Sequence, residues 1–419
     1  MARTVFDVAI VGGGASGMMA AIAASTALGP DGKVIILEAG PRVGRKLLAS
    51  GNGRCNFSNA RVQADSYNNA GFVAGVFQIC PPGYILELFE RLGLMISEEE
   101  GRLYPLSEAS SSMLDILRLK LAENKVSLAL GFSVESIKKD KVFNIKSRED
   151  AVIAKTAILA SGGKASPSLG SDGSGFALAR SLGHGLSDLS PGLTGFKCER
   201  DMLKSLGLPA LNGLRVSASA SLLQERKIVA REHGSVLFRE YGLSGVAIFN
   251  LSRYKGDLIL LDLLPGYSEE ALRARLSQRA SRLSGRPLDD FFTGMFHRVV
   301  GAQLMKAAGL DAKGRRCDRL TSDELRGLAS IIKNWAFPVE GVLGWQNAQI
   351  TLGGLDVEEF EPGTLESRVI AGLYACGEVL DIDGPCGGYN LCWAWSSGFV
   401  AGSSAAEAAK ATAISSLKY

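Results

Sequence analysis

Histidine is scarce in this sequence of 419 residues, and its cysteines are scattered. The three histidines, His184, His233 and His297, lie far apart, and the seven cysteines include no C-x-x-C pair. Structural zinc sites, iron–sulfur clusters and c-type haem need closely spaced ligands, so we predict no metal site. Scattered cysteines are also typical of a reducing compartment, which leads us to expect a cytoplasmic protein.

The sequence has almost no excess of charge of either sign. Its 46 Lys and Arg against 43 Asp and Glu give a formal net charge of +3, too small for the whole chain to act as a binder of polyanions. Aromatic residues make up 7%, charged residues 21% and apolar residues 46%. This balance is typical of a globular protein and excludes a largely disordered or fibrous chain.

The sequence also lacks an apolar run with the composition of a membrane span. The longest uncharged run, residues 384–406, is long enough to cross a bilayer but contains many Gly, Ser and Asn residues. We interpret it as a buried loop and helix. The apolar run at residues 8–11 is too short for a signal peptide. We therefore expect no membrane partner.

Glycine, by contrast, is abundant, with 50 residues and no collagen-like period. At about 150 residues per domain, the length suggests two or three domains. The first 38 residues predict a strand, a helix and a second strand, with apolar runs at residues 5–11 and 33–37 flanking an alanine-rich helical stretch. The right-handed crossover rule makes the two strands parallel, which predicts an α/β fold.

A G-x-G-x-x-G motif lies between the first strand and the helix. Glycine is frequent enough here that the motif alone is weak evidence, but Glu38 follows Gly17 by 21 residues, at the end of the second strand. Gly12 would make the turn, and Gly14 would let a diphosphate approach the backbone at the helix N-terminus. An acidic residue at position 38 favours FAD or NAD over NADP. The predicted contacts are the glycines of the motif, Gly12, Gly13, Gly14 and Gly17, together with Glu38.

Two further segments carry polar, Gly-rich sequence. In residues 42–59, Arg45 and Lys46 could offset diphosphate charge, while Ser50, Asn52 and Asn56 could bond to the edge of a flavin ring. A solvated loop would explain the charges but not the run of asparagine and glycine from residue 51. Residues 377–390 precede the last predicted helix, residues 391–409, whose N–H groups would face negative charge on a reduced flavin.

The pattern of predicted secondary structure changes at about residue 191. Predicted strands at residues 214–223, 228–231, 236–238 and 258–263 precede predicted helices at 269–283, 293–308 and 323–335. We predict an insert at residues 191–340, β-rich at 191–265 and helical at 266–340. The nucleotide-binding domain would then be discontinuous, comprising residues 1–190 and 341–419, with further strands at 152–159 and 373–376 and strand pairs at 126–137.

Four segments together resemble the family of FAD-dependent oxidoreductases that includes aminoacetone oxidase, the bile-acid-inducible reductase and a ribosomal-RNA dihydrouridine synthase. They are VAIVGGGASGMMAA, GRKLLASGNGRCNFSN, ILASGGKASPSLGSDGSGFALARSLGH and GLYACGEVLDIDGPCGGYNLCWAWSSG. The resemblance implies a glutathione-reductase-like Rossmann FAD domain with an inserted β-barrel-like and helical region. It also implies that substrate binds between them, near the flavin.

The same resemblance assigns residues to the cofactor. Gly12, Ala15, Ser16 and Glu38 would contact the ADP part of FAD, and Val134 the adenine through its backbone. The other contacts expected in the four segments are Arg45, Lys46, Ser50, Asn52, Ser161, Gly162, Gly377, Glu378, Gly388, Tyr389, Asn390 and Leu391. The sequence departs from the family at Leu352, Cys386 and Cys392. Because these positions are expected near the flavin, the family resemblance does not indicate which substrate this chain prefers.

The predicted reaction moves a hydride between flavin N5 and a small organic substrate. No second strand-flanked G-x-G-x-x-G is present, so NAD(P)H would be a transient reductant that visits the substrate cleft. No catalytic residue is assigned; His297, predicted on a helix of the insert, is the candidate acid or base.

Three alternatives remain open. The substrate could be uridine in RNA, because positive charge is concentrated in the insert and would attract phosphate groups. Residues 191–340 carry 23 Lys and Arg against 16 Asp and Glu, a net charge of +7, and the remainder carries 23 against 27, a net charge of −4. The chain could be an amine oxidase, or a non-catalytic FAD-binding protein. The sequence does not indicate an oligomeric state.

Overall fold

The computed structural model describes residues 4–199, 201 and 208–412. The chain divides into two units, Met1–Pro191 with Ala348–Tyr419, and Gly192–Asn347. The second unit ends seven residues later than the predicted insert, at 347 against 340. The reason is a strand at Trp335–Val342, which pairs with two other strands of the same unit.

The strands are β1 (Val5–Val11), β2 (Val34–Glu38), β3 (Ser58–Asn59), β4 (Ile96–Glu99), β5 (Arg102–Pro105), β6 (Ser127–Leu130), β7 (Ser136–Lys139), β8 (Phe143–Lys146), β9 (Ala151–Leu159), β10 (Ser190–Gly192), β11 (Phe196–Cys198), β12 (Arg215–Gln224), β13 (Lys227–Arg239), β14 (Gly242–Ser244), β15 (Leu258–Asp262), β16 (Trp335–Val342), β17 (Ile350–Leu352) and β18 (Leu373–Ala375).

The α-helices are α1 (Ala15–Leu28), α2 (Arg45–Ala49), α3 (Ala70–Ile79), α4 (Pro82–Arg91), α5 (Ser110–Glu123), α6 (Ser174–Ser181), α7 (Leu208–Leu211), α8 (Val246–Leu251), α9 (Glu269–Arg282), α10 (Arg298–Ala307), α11 (Ser322–Lys333) and α12 (Tyr389–Ala411). Short 3₁₀ helices lie at Ser50–Gly53, Ala64–Ser66, Pro167–Leu169, Leu288–Asp290, Cys317–Arg319, Val357–Glu359 and Gly377–Val379.

A seven-stranded sheet forms the centre of the first unit. Its order is β6-β2-β1-β9-β8-β7, and β18 also pairs with β9. Strands β2 and β9 both run parallel to β1, and β18 runs parallel to β9. The segments after these four strands therefore meet at one edge of the sheet. The predicted strand pairs at residues 126–137 were wrong, because β6 pairs with β2 and β7 pairs with β8.

Helices α1 and α12 pack closely because two glycines remove side chains between them. A Cβ on Gly398 would collide with the carbonyl oxygen of Ser16, and one on Gly402 with that of Ala20. Both glycines are buried, one turn apart on α12. The two helices therefore pack with their backbones in contact. This packing also positions α1, whose N-terminus is the predicted dinucleotide site.

We expect Gly402→Val to destabilise the first unit by about 1–3 kcal/mol, because the added side chain must push α1 away. Glu407→Val, at an exposed position of the same helix, serves as the control for the helix propensity of valine. Urea unfolding of both variants measures the difference. Equal stability of the two variants would contradict the close packing.

The second unit contains a closed six-stranded barrel, in the order β11-β14-β13-β12-β15-β16. The two strands predicted at residues 228–231 and 236–238 form one continuous strand, β13, because it pairs with β12 along its length. The predicted helix at 293–308 begins only at Arg298, and the one predicted at 323–335 ends at Lys333. The part predicted as helical, residues 266–340, thus ends in strand β16.

Among the described residues, no single helix has the length and apolar composition needed to cross a membrane. The pair Ala70–Ile79 and Pro82–Arg91, bent by 42°, passes that test only when taken together and only by length and composition. The uncharged run at residues 384–406 lies in a loop and in α12, where Trp393 and Trp395 are buried.

Candidate cofactor site

The turn after β1 is held by hydrogen bonds to Glu38. The N–H of Gly13 donates to Glu38 Oε2 at 2.8 Å, and the N–H of Gly40 donates to Glu38 Oε1 at 2.7 Å. Gly12 adopts φ +109°, a conformation that favours glycine, and donates to the carbonyl of Leu37. Each carboxylate oxygen keeps a lone pair that can accept a bond from a ribose hydroxyl.

The start of α1 fits the diphosphate of a dinucleotide. A Cβ built on Gly14 meets no atom within 4 Å, whereas one on Gly12 would lie 2.5 Å from the carbonyl oxygen of Ala160. Gly14 is the N-cap of α1, no side chain caps this helix, and its first turn contains no acidic residue. Open space before uncapped N–H groups is a site for an anion. The residues present therefore fit FAD.

Parts of the third and fourth segments lie beside this turn. Ser161 follows β9, and its buried Oγ has no hydrogen-bond partner among the described residues. Gly377 adopts φ +76°, and a Cβ there would collide with Ser16 Oγ. The Ser16 hydroxyl is 3.5 Å from the carbonyl oxygen of Cys376. The structure thus brings Gly12–Gly17, Ser161 and Gly377 together, as expected for the ends of neighbouring parallel strands. Gly162 is half-buried beside them.

Lys46 and Glu378, both predicted to contact the cofactor, form an ion pair with each other. The Lys46 ammonium lies 2.7 Å from Glu378 Oε2, and Glu378 Oε1 accepts the N–H of Thr351 at 2.7 Å. The Thr351 hydroxyl in turn accepts the N–H groups of Lys164 and Ala165. Lys46 therefore offers the cofactor a charge that is already partly neutralised. Sequence reasoning missed Thr351, although the ITLGGL stretch around it was a usable signal.

Arg45 lies next to Lys46 and bonds to a different segment. Its guanidinium donates to the carbonyl oxygen of Ser168 at 2.8 Å. Its side chain also lies near Gly40 and Gly170. Arg45 thus connects the loop after β2 with the loop after β9.

The loop at residues 50–56 has an unusual backbone. Asn52 and Cys55 adopt φ +56° and +57°, and Gly51 and Gly53 are also left-handed. The Ser50 hydroxyl donates to the carbonyl of Leu47 at 2.6 Å, while the Asn52 side chain is exposed. Left-handed conformations in non-glycine residues cost energy and persist only where neighbouring structure holds them.

Arg54 holds this loop, a role that sequence reasoning missed. Its Nη2 atom donates to Glu99 Oε2 and to Glu108 Oε1, both at 2.8 Å. The guanidinium carbon lies 4.2 Å from the ring centroid of Tyr104. The two carboxylates raise the pKa of Arg54, chiefly through these hydrogen bonds. The loop is thereby fixed to the β4–β5 hairpin.

We expect Arg54→Met to weaken FAD binding about three- to tenfold, because the left-handed loop loses its charged anchor. The ion pairs are partly exposed, so high salt should move the wild-type protein toward the variant. Fluorescence titration of the apoprotein with FAD at two ionic strengths measures both effects. An unchanged affinity, equal to that of Arg148→Met at an exposed site, would contradict this role.

The fourth segment packs against the second. A Cβ on Gly388, which has φ +99°, would collide with the carbonyl oxygen of Ser58, and Asn59 Nδ2 donates to the carbonyl of Gly387 at 2.9 Å. The Asn390 amide accepts the N–H of Gly384 at 2.9 Å and donates to its carbonyl at 2.8 Å. Asn390 therefore shapes the loop itself.

Helix α12 begins at Tyr389, two residues before the predicted start at 391. The Tyr389 carbonyl accepts the hydroxyl of Tyr67 at 2.8 Å, and burial raises the pKa of the Tyr389 hydroxyl. Leu391 is half-buried. Contact of these residues with a flavin stays a prediction.

Val134 lies near Glu38 along the chain that follows β6. The N–H of Phe132 donates to the Glu38 carbonyl at 2.9 Å, and that of Gly131 to the Gly40 carbonyl at 3.1 Å. The half-buried Val134 follows two residues later. This position is compatible with the predicted adenine contact.

The two cysteines of the fourth segment do not form a disulfide in the described structure. Cys392 is fully buried, and this burial raises the pKa of its thiol to about 12. Burial also raises the pKa of the Cys386 thiol. Both therefore favour the protonated thiol, which is a weak nucleophile.

The described residues contain no group of three or more His, Cys, Asp and Glu that could hold a metal ion. His184 follows α6, and a histidine just after a helix is usually a cap or a surface residue, but here the side chain is buried. Its Nδ1 lies 2.7 Å from Glu359 Oε2, its Nε2 lies 3.1 Å from Ser367 Oγ, and its ring stacks on Phe360. These partners are distant in sequence, so the local sequence does not indicate the burial.

His297 belongs to the second unit and precedes α10 as its N-cap, rather than lying within a helix. Its Nδ1 accepts the N–H of Val299 at 3.3 Å, and its side chain is exposed. Its assignment as an acid or base stays a prediction.

Comparison with known proteins identifies the family. A family model described as HI0933-like protein Rossmann domain matches residues 6–404. The chain is 37% identical over 411 residues to 3-dehydro-bile acid delta(4,6)-reductase from Clostridium scindens, covering 96% of this chain and 99% of that protein. It is 28% identical over 398 residues to ribosomal RNA dihydrouridine synthase from Escherichia coli, covering 94% and 96%.

A solved structure supports the fold alone. The FrdA chain of E. coli quinol fumarate reductase aligns with a TM-score of 0.51 and 17% identity, covering 100% of this chain and 72% of that chain. The family match confirms the resemblance seen in the four segments, and the Rossmann fold with its inserted barrel confirms the predicted fold class. The chain therefore belongs to the HI0933-like family and is an FAD-dependent oxidoreductase.

Proposed function

We propose that this protein reduces a carbon–carbon double bond conjugated to a carbonyl group in an apolar small molecule, with NAD(P)H as the reductant. The observation that carries the proposal is the 37% identity, over nearly the full length of both chains, to a bile-acid delta(4,6)-reductase. The relative named as an RNA-modifying enzyme is less similar, at 28%.

Several groups of this chain would serve the reaction by holding the cofactor. FAD, when bound, supplies the group that accepts a hydride from the reductant and passes it to the substrate. The space before Gly14, the carboxylate of Glu38 and the Lys46–Glu378 pair would hold the dinucleotide. Helix α12 is 23 residues long and its N-cap, Gly388, has no side-chain cap, so its N-terminal dipole favours negative charge on the flavin.

Some cations of the second unit are already engaged within it, so they are less available to phosphate groups. Several of its cations already have partners inside the unit: Arg315 pairs with Glu324 at 2.8 Å, and Lys333 with Asp262 at 2.6 Å. Arg279 donates to the carbonyl oxygen of Phe291 at 2.6 Å. Each of these ion pairs also occupies a carboxylate, so the net excess of +7 in residues 191–340 stands, and the preference for a small molecule over RNA rests on the identities to the two relatives.

An anaerobic reduction experiment tests the proposal. The purified holoprotein is reduced with NADPH or NADH, and androst-4-ene-3,17-dione or a uridine-containing RNA is then added. A primary amine, which is an electron donor, is added instead to the oxidised holoprotein, whose flavin it should not reduce. We expect the enone alone to reoxidise the flavin and to yield a product with one double bond fewer. Reoxidation by RNA with dihydrouridine formation, or flavin that neither nucleotide reduces, would overturn the proposal.

A further inference from the structure

The second unit contains an open cavity of about 250 Å³ whose walls are about equally polar and apolar, although five of its lining side chains are apolar. It lies where β12, the chain after β15 and the chain before α10 come together. Its apolar lining residues are Val216, Leu263, Leu264, Met295 and Phe296. Ser217 and His297 supply the polar groups of the lining, which contains no carboxylate and no Lys or Arg.

The hydrogen bond that His297 makes as a helix cap determines which ring nitrogen can act in the cavity. Because Nδ1 accepts the N–H of Val299, the proton of the neutral imidazole must reside on Nε2. The side chain is exposed, so this N–H is directed to solvent or to a ligand. His297 therefore presents a hydrogen-bond donor at this cavity.

The lining selects a class of ligand by its chemistry. The apolar side chains reward contact with a hydrocarbon frame, and the donors on His297 and Ser217 reward a neutral acceptor such as a carbonyl oxygen. A lining without carboxylates does not suit an amine, and one without Lys or Arg does not suit a phosphate. The volume is slightly below the range of about 300–1,000 Å³ typical of pockets that enclose a whole drug-sized ligand. One or two rings of a larger molecule would therefore lie in it.

We propose that this cavity binds the carbonyl-bearing ring of an apolar ketone, with the Nε2–H of His297 donating to the carbonyl oxygen. The inference rests on the proposed function, which supplies the chemical class of the ligand. A hydrogen bond to the carbonyl oxygen would orient the ring and polarise the conjugated double bond.

Calorimetric titration of the oxidised holoprotein with androst-4-ene-3,17-dione tests the site without any turnover. His297→Ser keeps a residue suited to the helix cap and removes the Nε2–H, so we expect affinity to fall about three- to tenfold. His297→Gln retains a long side chain with an N–H donor and should recover part of the loss. Met295→Trp should fill the cavity and abolish binding, whereas Met95→Trp, exposed in the first unit, should not.

The outcomes separate this site from the reaction. Binding that follows the expected pattern, without reoxidation of the reduced flavin, supports the cavity and overturns the proposed function. Reoxidation of the flavin with equal ketone affinity in wild type, His297→Ser and Met295→Trp overturns the cavity and leaves the proposed function standing. Absence of measurable ketone binding to the wild-type holoprotein also overturns the cavity. The FAD content of every variant should equal that of wild type, since His297 and Met295 lie in the second unit and Met95 is an exposed residue outside the predicted cofactor contacts.

Discussion

Gly14→Val yields a protein that folds normally and retains almost no FAD. Gly14 has φ −78° and ψ −169°, an extended conformation open to any residue, and a Cβ there touches nothing within 4 Å. The valine side chain would instead occupy the space where the diphosphate must approach the start of α1. We expect the dissociation constant for FAD to rise at least about 100-fold. The measurements are FAD released per chain on denaturation and the Tm of the apoprotein.

Gly17→Val is the matched control for this prediction. A Cβ on Gly17 would collide with the carbonyl oxygen of Gly12, so the turn and the helix cannot both keep their positions. That variant should lose FAD and thermal stability together. A Gly14→Val protein with the FAD content of wild type would show that the space before α1 is not the diphosphate site.

Glu38→Ala should lower FAD affinity about 100-fold, with a smaller loss of apoprotein stability. The substitution removes the acceptor for a ribose hydroxyl, and it also leaves the N–H groups of Gly13 and Gly40 without their partners. Leaving a buried donor unpaired costs about 1–3 kcal/mol, and Glu38 is only half-buried, so the lower part of that range applies to each.

Glu38→Gln separates the two effects because its amide oxygen can still accept one of the two N–H groups. Its affinity for FAD should lie between those of wild type and Glu38→Ala. Titration of each apoprotein with FAD, followed by flavin fluorescence, gives the affinities, and Glu98→Ala at an exposed position is the control. If Glu38→Ala bound FAD as tightly as Glu98→Ala does, Glu38 could not be a ribose ligand.

The sequence predicts the first crossover well because each signal there is local. The buried run of β1, the glycine turn and Glu38 all lie within a single strand–helix–strand unit, and the Glu38 carboxylate accepts hydrogen bonds from Gly13 within it and from Gly40 just after it. The packing of α12 on α1 is not local. It depends on Gly398 and Gly402, which in the sequence are ordinary members of a small-residue run.

Contacts between distant segments account for most of what the sequence did not predict. Lys46 and Glu378 are 332 residues apart, and each was assigned to the cofactor alone. His184 and Glu359 are 175 residues apart, so the burial of the imidazole has no local signature. In the second unit, residues 232–235 separate the two predicted short strands, but pairing with β12 continues through all four. Tertiary pairing there overrides local propensity.

The identity of the bound cofactor tests the account most directly. The protein is purified without added nucleotide, its visible spectrum is recorded, and the ligand released on denaturation is identified by chromatography. We predict the absorption spectrum of an oxidised flavin and release of close to stoichiometric FAD, from the wild type but not from Gly14→Val. A colourless protein that stays colourless after reconstitution with FAD would contradict the assignment of this fold to flavin chemistry.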